Sequence, residues 1–112
     1  MKVAIPVAAG QLCPHFGHCE QFAMFDIDEN AKSVAKMELH TPPPHEPGVL
    51  PRWLSEMGAT TIIAGGMGMR AQQLFQQNGI KVIIGAGSGD PQATVEAYLA
   101  GSLTTGENLC DH

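Results

Sequence analysis

The run Thr41-Pro42-Pro43-Pro44-His45-Glu46-Pro47-Gly48 divides the chain into two parts with different hydrophobic periods. Three consecutive prolines remove three backbone donors, so neither a helix nor a central strand can pass through them, and a stiff exposed loop is required. Ahead of it, Val3, Ile5 and Val7 alternate, Phe22 to Ile27 is aromatic and apolar, and Val34 to Leu39 alternates with Lys36 and Glu38. Asp28-Glu29-Asn30 carries turn chemistry and predicts an antiparallel hairpin from the last two runs.

Behind the loop the pattern becomes helix, strand, helix, strand, helix. Leu50, Leu54 and Met57 share one helical face, Thr60 to Ala64 is a short buried-type strand, and Ala71, Leu74 and Phe75 mark a second helix. Asn78-Gly79 has the chemistry of a left-handed helix stop. Lys81 to Ile84 forms the next strand, and Asp90-Pro91 supplies an N-cap and a first-turn proline for a helix through Val95, Tyr98 and Leu99 that stops at Gly101. Strands joined by helices pair in parallel. The predicted fold class is therefore α/β, with one mixed five-stranded sheet, antiparallel at the N-terminal part and parallel later, flanked by helices.

With 112 residues, 44% hydrophobic and 15% charged, the chain has the size and composition of one ordered domain spanning 1–112, with a polar tail at 102–112 expected to be mobile. A net charge of −5 with scattered Lys and Arg argues against general nucleic-acid binding, which needs a basic face. Neither a signal-peptide pattern nor a membrane-length apolar run is present, so a cytoplasmic location is expected. Three cysteines are an odd number and fit reduced thiols better than a secreted disulfide framework.

Cys13-Pro14-His15-Phe16-Gly17-His18-Cys19 concentrates four thiol and imidazole groups in seven residues. These groups hold zinc, copper(I) and iron-sulfur species, and Gly17 permits the tight turn that lets sequence neighbours converge. The spacing is not that of a zinc finger, and no second Cys-x2-Cys pair exists to close a tetrahedral site. An open site meeting an incoming metal or preassembled cluster needs fewer protein ligands, with Cys13, His15, His18 and Cys19 as the candidates. The plainer alternative is that His15 and Phe16 pack under the loop and the cysteines are incidental. His40 and His45 flank the proline run, and Cys110 and His112 lie in the tail; these are lesser candidates.

Thr60-Thr61-Ile62-Ile63-Ala64-Gly65-Gly66-Met67-Gly68-Met69-Arg70 reads as a strand entering a glycine loop at a helix start, where outward N–H groups and the helix dipole favour an anion. Gly66-x-Gly68-x-x-Ala71 also matches a dinucleotide fingerprint, but no acidic residue ends a strand at the required distance. The plainer alternative is glycines that only let helix and sheet approach. Met67 and Met69 are either thioether ligands, apolar walls for a soft guest, or core filler. No signature of a cysteine nucleophile or a Cys-x-x-Cys redox pair is present, and the first strand carries no carboxylate for two-metal chemistry, so an enzyme is not expected.

Lys2-Val3-Ala4-Ile5-Pro6-Val7, Pro14-His15-Phe16-Gly17, the Phe-rich strand reaching Asp26, the His-Pro loop before a helix, Ile62-Ile63-Ala64-Gly65-Gly66-Met67-Gly68 with Arg70-Ala71, and Gly79-Ile80-Lys81-Val82 together cover nearly the whole chain. In these segments the chain resembles the dinitrogenase iron-molybdenum cofactor biosynthesis family, which includes carriers of the NifX and NafY type, the NifB C-terminal domain and the orange protein with its molybdenum-copper sulfide cluster. The resemblance implies a ribonuclease H-like fold without nuclease activity. It also implies noncovalent binding, storage or delivery of an anionic metal-sulfur cluster, iron-molybdenum, iron-sulfur or molybdenum-copper, between the His15 loop and Gly65, Gly66, Met67, Gly68 and Arg70. Cys13 and Cys19 stand where the family usually has other residues, implying thiolate-assisted binding or a different metal such as copper. Implied partners are the cluster and its donor or acceptor proteins, with the chain a monomer or weak homodimer. The alternatives are a protein-interaction or regulatory module with adventitious metal, and a small-molecule site at the glycine loop.

Overall fold

The structure, a computed structural model, describes residues 1–12, 20–43, 48–86, 89–101 and 103. The Cys13 to Cys19 loop, His45, Cys110 and His112 lie outside the described residues, as does all of the expected mobile tail except Leu103. That residue is attached: its N–H donates to the Ala97 carbonyl at 3.1 Å and its side chain packs on the core.

Strands β1 (Lys2–Ala8), β2 (Gln11–Leu12), β3 (Gln21–Asp28) and β4 (Ser33–His40) precede the proline run. Helix α1 (Val49–Glu56), β5 (Thr61–Ile63), α2 (Met69–Gln77), β6 (Lys81–Ile83) and α3 (Pro91–Ala100) follow it. The main sheet order is β4-β3-β1-β5-β6, with β1-β3-β4 antiparallel and β1-β5-β6 parallel. This is the mixed α/β architecture expected from the sequence, with one correction. A sixth strand, β2, pairs antiparallel with the end of β1 through Val7 with Leu12 and Ala8 with Gln11. Its turn is Ala9-Gly10, both at positive φ (53° and 78°), the two-residue geometry that matches strand twist. Alanine at the first position hid this hairpin from a reading that seeks Asn-Gly or Asp-Gly.

Period-two alternation divides the sheet into two cores. On one face Ala4, Phe22, Met24 and Ile62 meet α1 and α2 through Leu50, Leu54 and Phe75, with Trp53 edge-on to Phe22 at 5.8 Å between ring centres. On the other, Val3, Ile5, Val7, Phe25 and Ile63 meet α3 through Val95. Pro6 falls between the segment of β1 paired with β5 (Val3, Ala4) and the segment paired with β2 (Val7, Ala8), where a missing N–H costs a central strand least.

Local chemistry fixes the helix ends. Asp90 accepts from the N–H groups of Gln92 and Ala93 and caps α3, with Pro91 in its first turn. Gly79, at φ 76°, ends α2 in the left-handed conformation that glycine adopts without a Cβ clash. Among the described residues no helix is long and apolar enough to cross a membrane.

Candidate functional site

Because β1, β5 and β6 run parallel, their C-terminal ends lie on one edge of the sheet, and antiparallel pairing brings the start of β3 and the end of β4 to that same edge. Open α/β sheets bind ligands outside the carboxyl ends of their strands, because loops rather than packed side chains emerge there. The segments holding the candidate residues leave and return at this edge. Leu12 and Glu20, the described residues on either side of the Cys13 to Cys19 segment, are fastened beside the end of β1. The Glu20 N–H donates to the Val7 carbonyl at 2.9 Å, and the Leu12 N–H donates to the Gly89 carbonyl at 2.8 Å. The Glu20 carboxylate also accepts the Ala9 N–H at 2.9 Å.

The glycine loop lies one strand away, at the end of β5, about 5 Å across the sheet. The β5–β6 ladder continues past the strands themselves. Ala64 N–H donates to Ile83 O, Gly85 N–H to Gly65 O and Ala86 N–H to Ala64 O, at 2.8, 3.0 and 3.2 Å. These bonds hold Gly65 in register with the segment leading to α3. Gly65 and Gly66 are buried, whereas Gly68 and Arg70 are exposed. Gly68 is the N-cap of α2 in extended conformation; it has no side chain with which to cap, and the first turn contains no acid. The first intrahelical bond runs from Gln72 N–H to Gly68 O at 3.1 Å, so the N–H groups of Met69, Arg70 and Ala71 precede the intrahelical ladder. Among the described residues Arg70 forms no ion pair. The mouth of α2 therefore carries positive charge from the guanidinium and the helix dipole together.

The two methionines of this segment differ. Met67 is fully buried in the α1/α2 core, and its carbonyl accepts from Gln72 Nε2 at 2.9 Å. Its side chain packs in that core with Leu50, Leu54 and Phe75. Met69, at the first position of α2, is 68% exposed and is the accessible thioether here.

His40 ends β4 at the same edge, two strands from β1 and so about 10 Å from it. Among the described residues no three His, Cys, Asp or Glu side chains converge as a metal-binding group; Cys13, His15, His18 and Cys19 are not among those residues. The sequence reading missed the segment after β6. Gly85, at φ 79°, and Gly89, at φ 138°, bond to the glycine loop and to Leu12 respectively, which places this segment at the same edge. Three glycines within Gly85-Ala86-Gly87-Ser88-Gly89, directly behind a strand and ahead of the Asp90 N-cap, were the available signal.

The family profile described as dinitrogenase iron-molybdenum cofactor matches residues 1–101. The chain belongs to this family. Within its likenesses, the uncharacterized protein MJ0580 of Methanocaldococcus jannaschii is 30% identical over 89 residues, covering 73% of this chain and 72% of that protein. The crystal structure of PH0822 superposes with a TM-score of 0.84 at 31% identity, covering 95% of this chain and 96% of the other. The apo form of the orange protein from Desulfovibrio gigas shares the fold, with a TM-score of 0.72 at 22% identity over 96% of this chain and 93% of its own.

Proposed function

We propose that this family member binds an anionic metal-sulfur cluster noncovalently and stores or delivers it, without catalysing a reaction. Cys13, His15, His18 and Cys19 are the candidate ligands. Gly65, Gly66, Gly68 and Arg70 form the cradle for negative charge, with Met67 anchoring that loop to the core. The observation that carries the reading is the fastening of Leu12 and Glu20 beside the end of β1, one strand from the glycine loop at the mouth of α2. Thiolate and imidazole meet metal, while backbone N–H groups and a guanidinium meet the sulfide and its charge. Donor or acceptor proteins would complete a carrier's cycle.

The test is metal and acid-labile sulfide analysis, with a visible spectrum, on anaerobically purified protein offered preformed iron-sulfur and molybdenum-copper-sulfide clusters. Stoichiometric uptake with a charge-transfer band that is lost on changing the Cys13 to Cys19 loop names the cargo. No uptake under any of these conditions overturns the reading in favour of a protein-interaction module.

A further inference from the structure

We infer that the outer edge of β4 is a self-association surface, through which two copies of this chain join antiparallel about a two-fold axis at Met37. The inference is independent of the cluster reading, since this edge is set apart from the glycine loop by β3 and β1.

Strand β4 has eight residues and β3 on one side, and among the described residues no strand lies beyond it. Its faces differ. Lys36 and Glu38 lie on the α1/α2 side, 3.3 Å apart as an ion pair and largely exposed. On the α3 side Met37 and Leu39 pair with the buried Phe25 and Ala23, yet are 44% and 50% exposed. Charged residues on an edge ordinarily block pairing. Here the block cancels under a dyad, because an antiparallel register centred on Met37 sets Lys36 opposite Glu38 of the partner subunit, twice. Centring on Lys36 or on Glu38 would oppose like charges, so charge selects one register of these three.

The selected register also extends a pattern already present in the sheet. Lys2 on β1, Asp26 on β3 and Lys36 on β4 are successive cross-strand neighbours, with Lys2 Nζ 3.6 Å from Asp26 Oδ1. Glu38 of the partner subunit continues that alternation of sign. On the opposite face Met37 meets Met37 of the partner subunit, with Leu39 two residues along, which removes exposed apolar surface. The contact is isologous and closed, so it ends at a dimer.

Sedimentation velocity with reductant present, which excludes cysteine cross-links, tests this from about 1 μM to about 1 mM protein. A reversible monomer–dimer equilibrium is expected, weakened by salt. Glu38→Lys and Lys36→Glu should each raise the dimer dissociation constant about tenfold or more, because two attractions become two repulsions. The double exchange K36E/E38K should return it to near the original value. Met37→Lys, on an exposed position, should abolish the dimer and serves if either charge variant loses its native circular dichroism. A monomer at every concentration, a dimer indifferent to the single reversals, or a double exchange that fails to restore association would overturn the inference.

Discussion

The carboxylate of Glu20 accepts the N–H of Ala9 at 2.9 Å, so the first described residue after the cysteine-histidine loop is bound to the turn between β1 and β2. The same residue donates its own N–H to Val7 O. Ala9 holds φ at 53°, a conformation that an L side chain other than glycine adopts only at a cost of about 1–2 kcal/mol. A strained turn and a candidate ligand loop are thus joined by one exposed side chain.

Relieving that turn should stabilise the protein. Ala9→Gly is expected to raise the midpoint of thermal unfolding by an amount equivalent to about 0.5–1 kcal/mol, because the left-handed penalty exceeds the entropy glycine costs. Glu20→Ala should lower it by about 0.5–1 kcal/mol through loss of one hydrogen bond. Calorimetry on both variants checks the pair, and a fall in stability for Ala9→Gly would contradict the strain.

Arg70 should matter for charge and little for folding. It is exposed and without an ion pair among the described residues, so Arg70→Gln is expected to shift stability by no more than about 0.5 kcal/mol. Retention of an anionic cluster should weaken in this variant, and the difference from the unmodified protein should shrink as salt screens the site. Equilibrium dialysis at two ionic strengths reads both effects.

The thiols can be separated from the cradle. Cys13→Ser with Cys19→Ser should reduce metal retention while circular dichroism and the unfolding midpoint stay close to those of the unmodified chain, since serine keeps the size but offers no soft ligand. Unchanged metal stoichiometry in the double variant would remove the cysteines from the ligand set.

Helix α3 depends on its cap. Asp90→Ala leaves the Gln92 and Ala93 N–H groups without the carboxylate and should cost about 1 kcal/mol. Truncating the fully buried Phe75 to Ala should cost about 3–5 kcal/mol by opening a cavity under α2. The ratio of the two losses, measured by urea unfolding, distinguishes a lost cap from a lost core.

The order of elements was legible because their signals are local. The alternation in β1 and β4, the Asp90-Pro91 start of α3 and the Asn78-Gly79 end of α2 each act within a few residues. Strand β2 was not legible: two residues carry no period, and an Ala9-Gly10 turn resembles ordinary loop until the pairing that forces Ala9 to positive φ is known. The glycine loop was recognisable as a helix mouth, yet nothing near Met67 and Met69 in the sequence says which thioether points into the core. That choice is made by the α1/α2 packing, which brings Leu50, Leu54 and Phe75 together from distant segments. The contribution of Gly85 and Gly89 was hidden for the same reason, since their partners, Gly65 and Leu12, are set by strand order.

The separation of the two cores by the sheet has an evolutionary consequence. The segments at the carboxyl edge are fastened largely through main-chain bonds, Glu20 to Val7, Leu12 to Gly89 and Gly85 to Gly65, which make few demands on side-chain identity. Side chains between those fastenings can be rewritten while Phe22, Phe25, Phe75 and Val95 keep both layers packed. Such a scaffold leaves the loops at this edge free to change in sequence, with the folding problem already solved elsewhere in the chain.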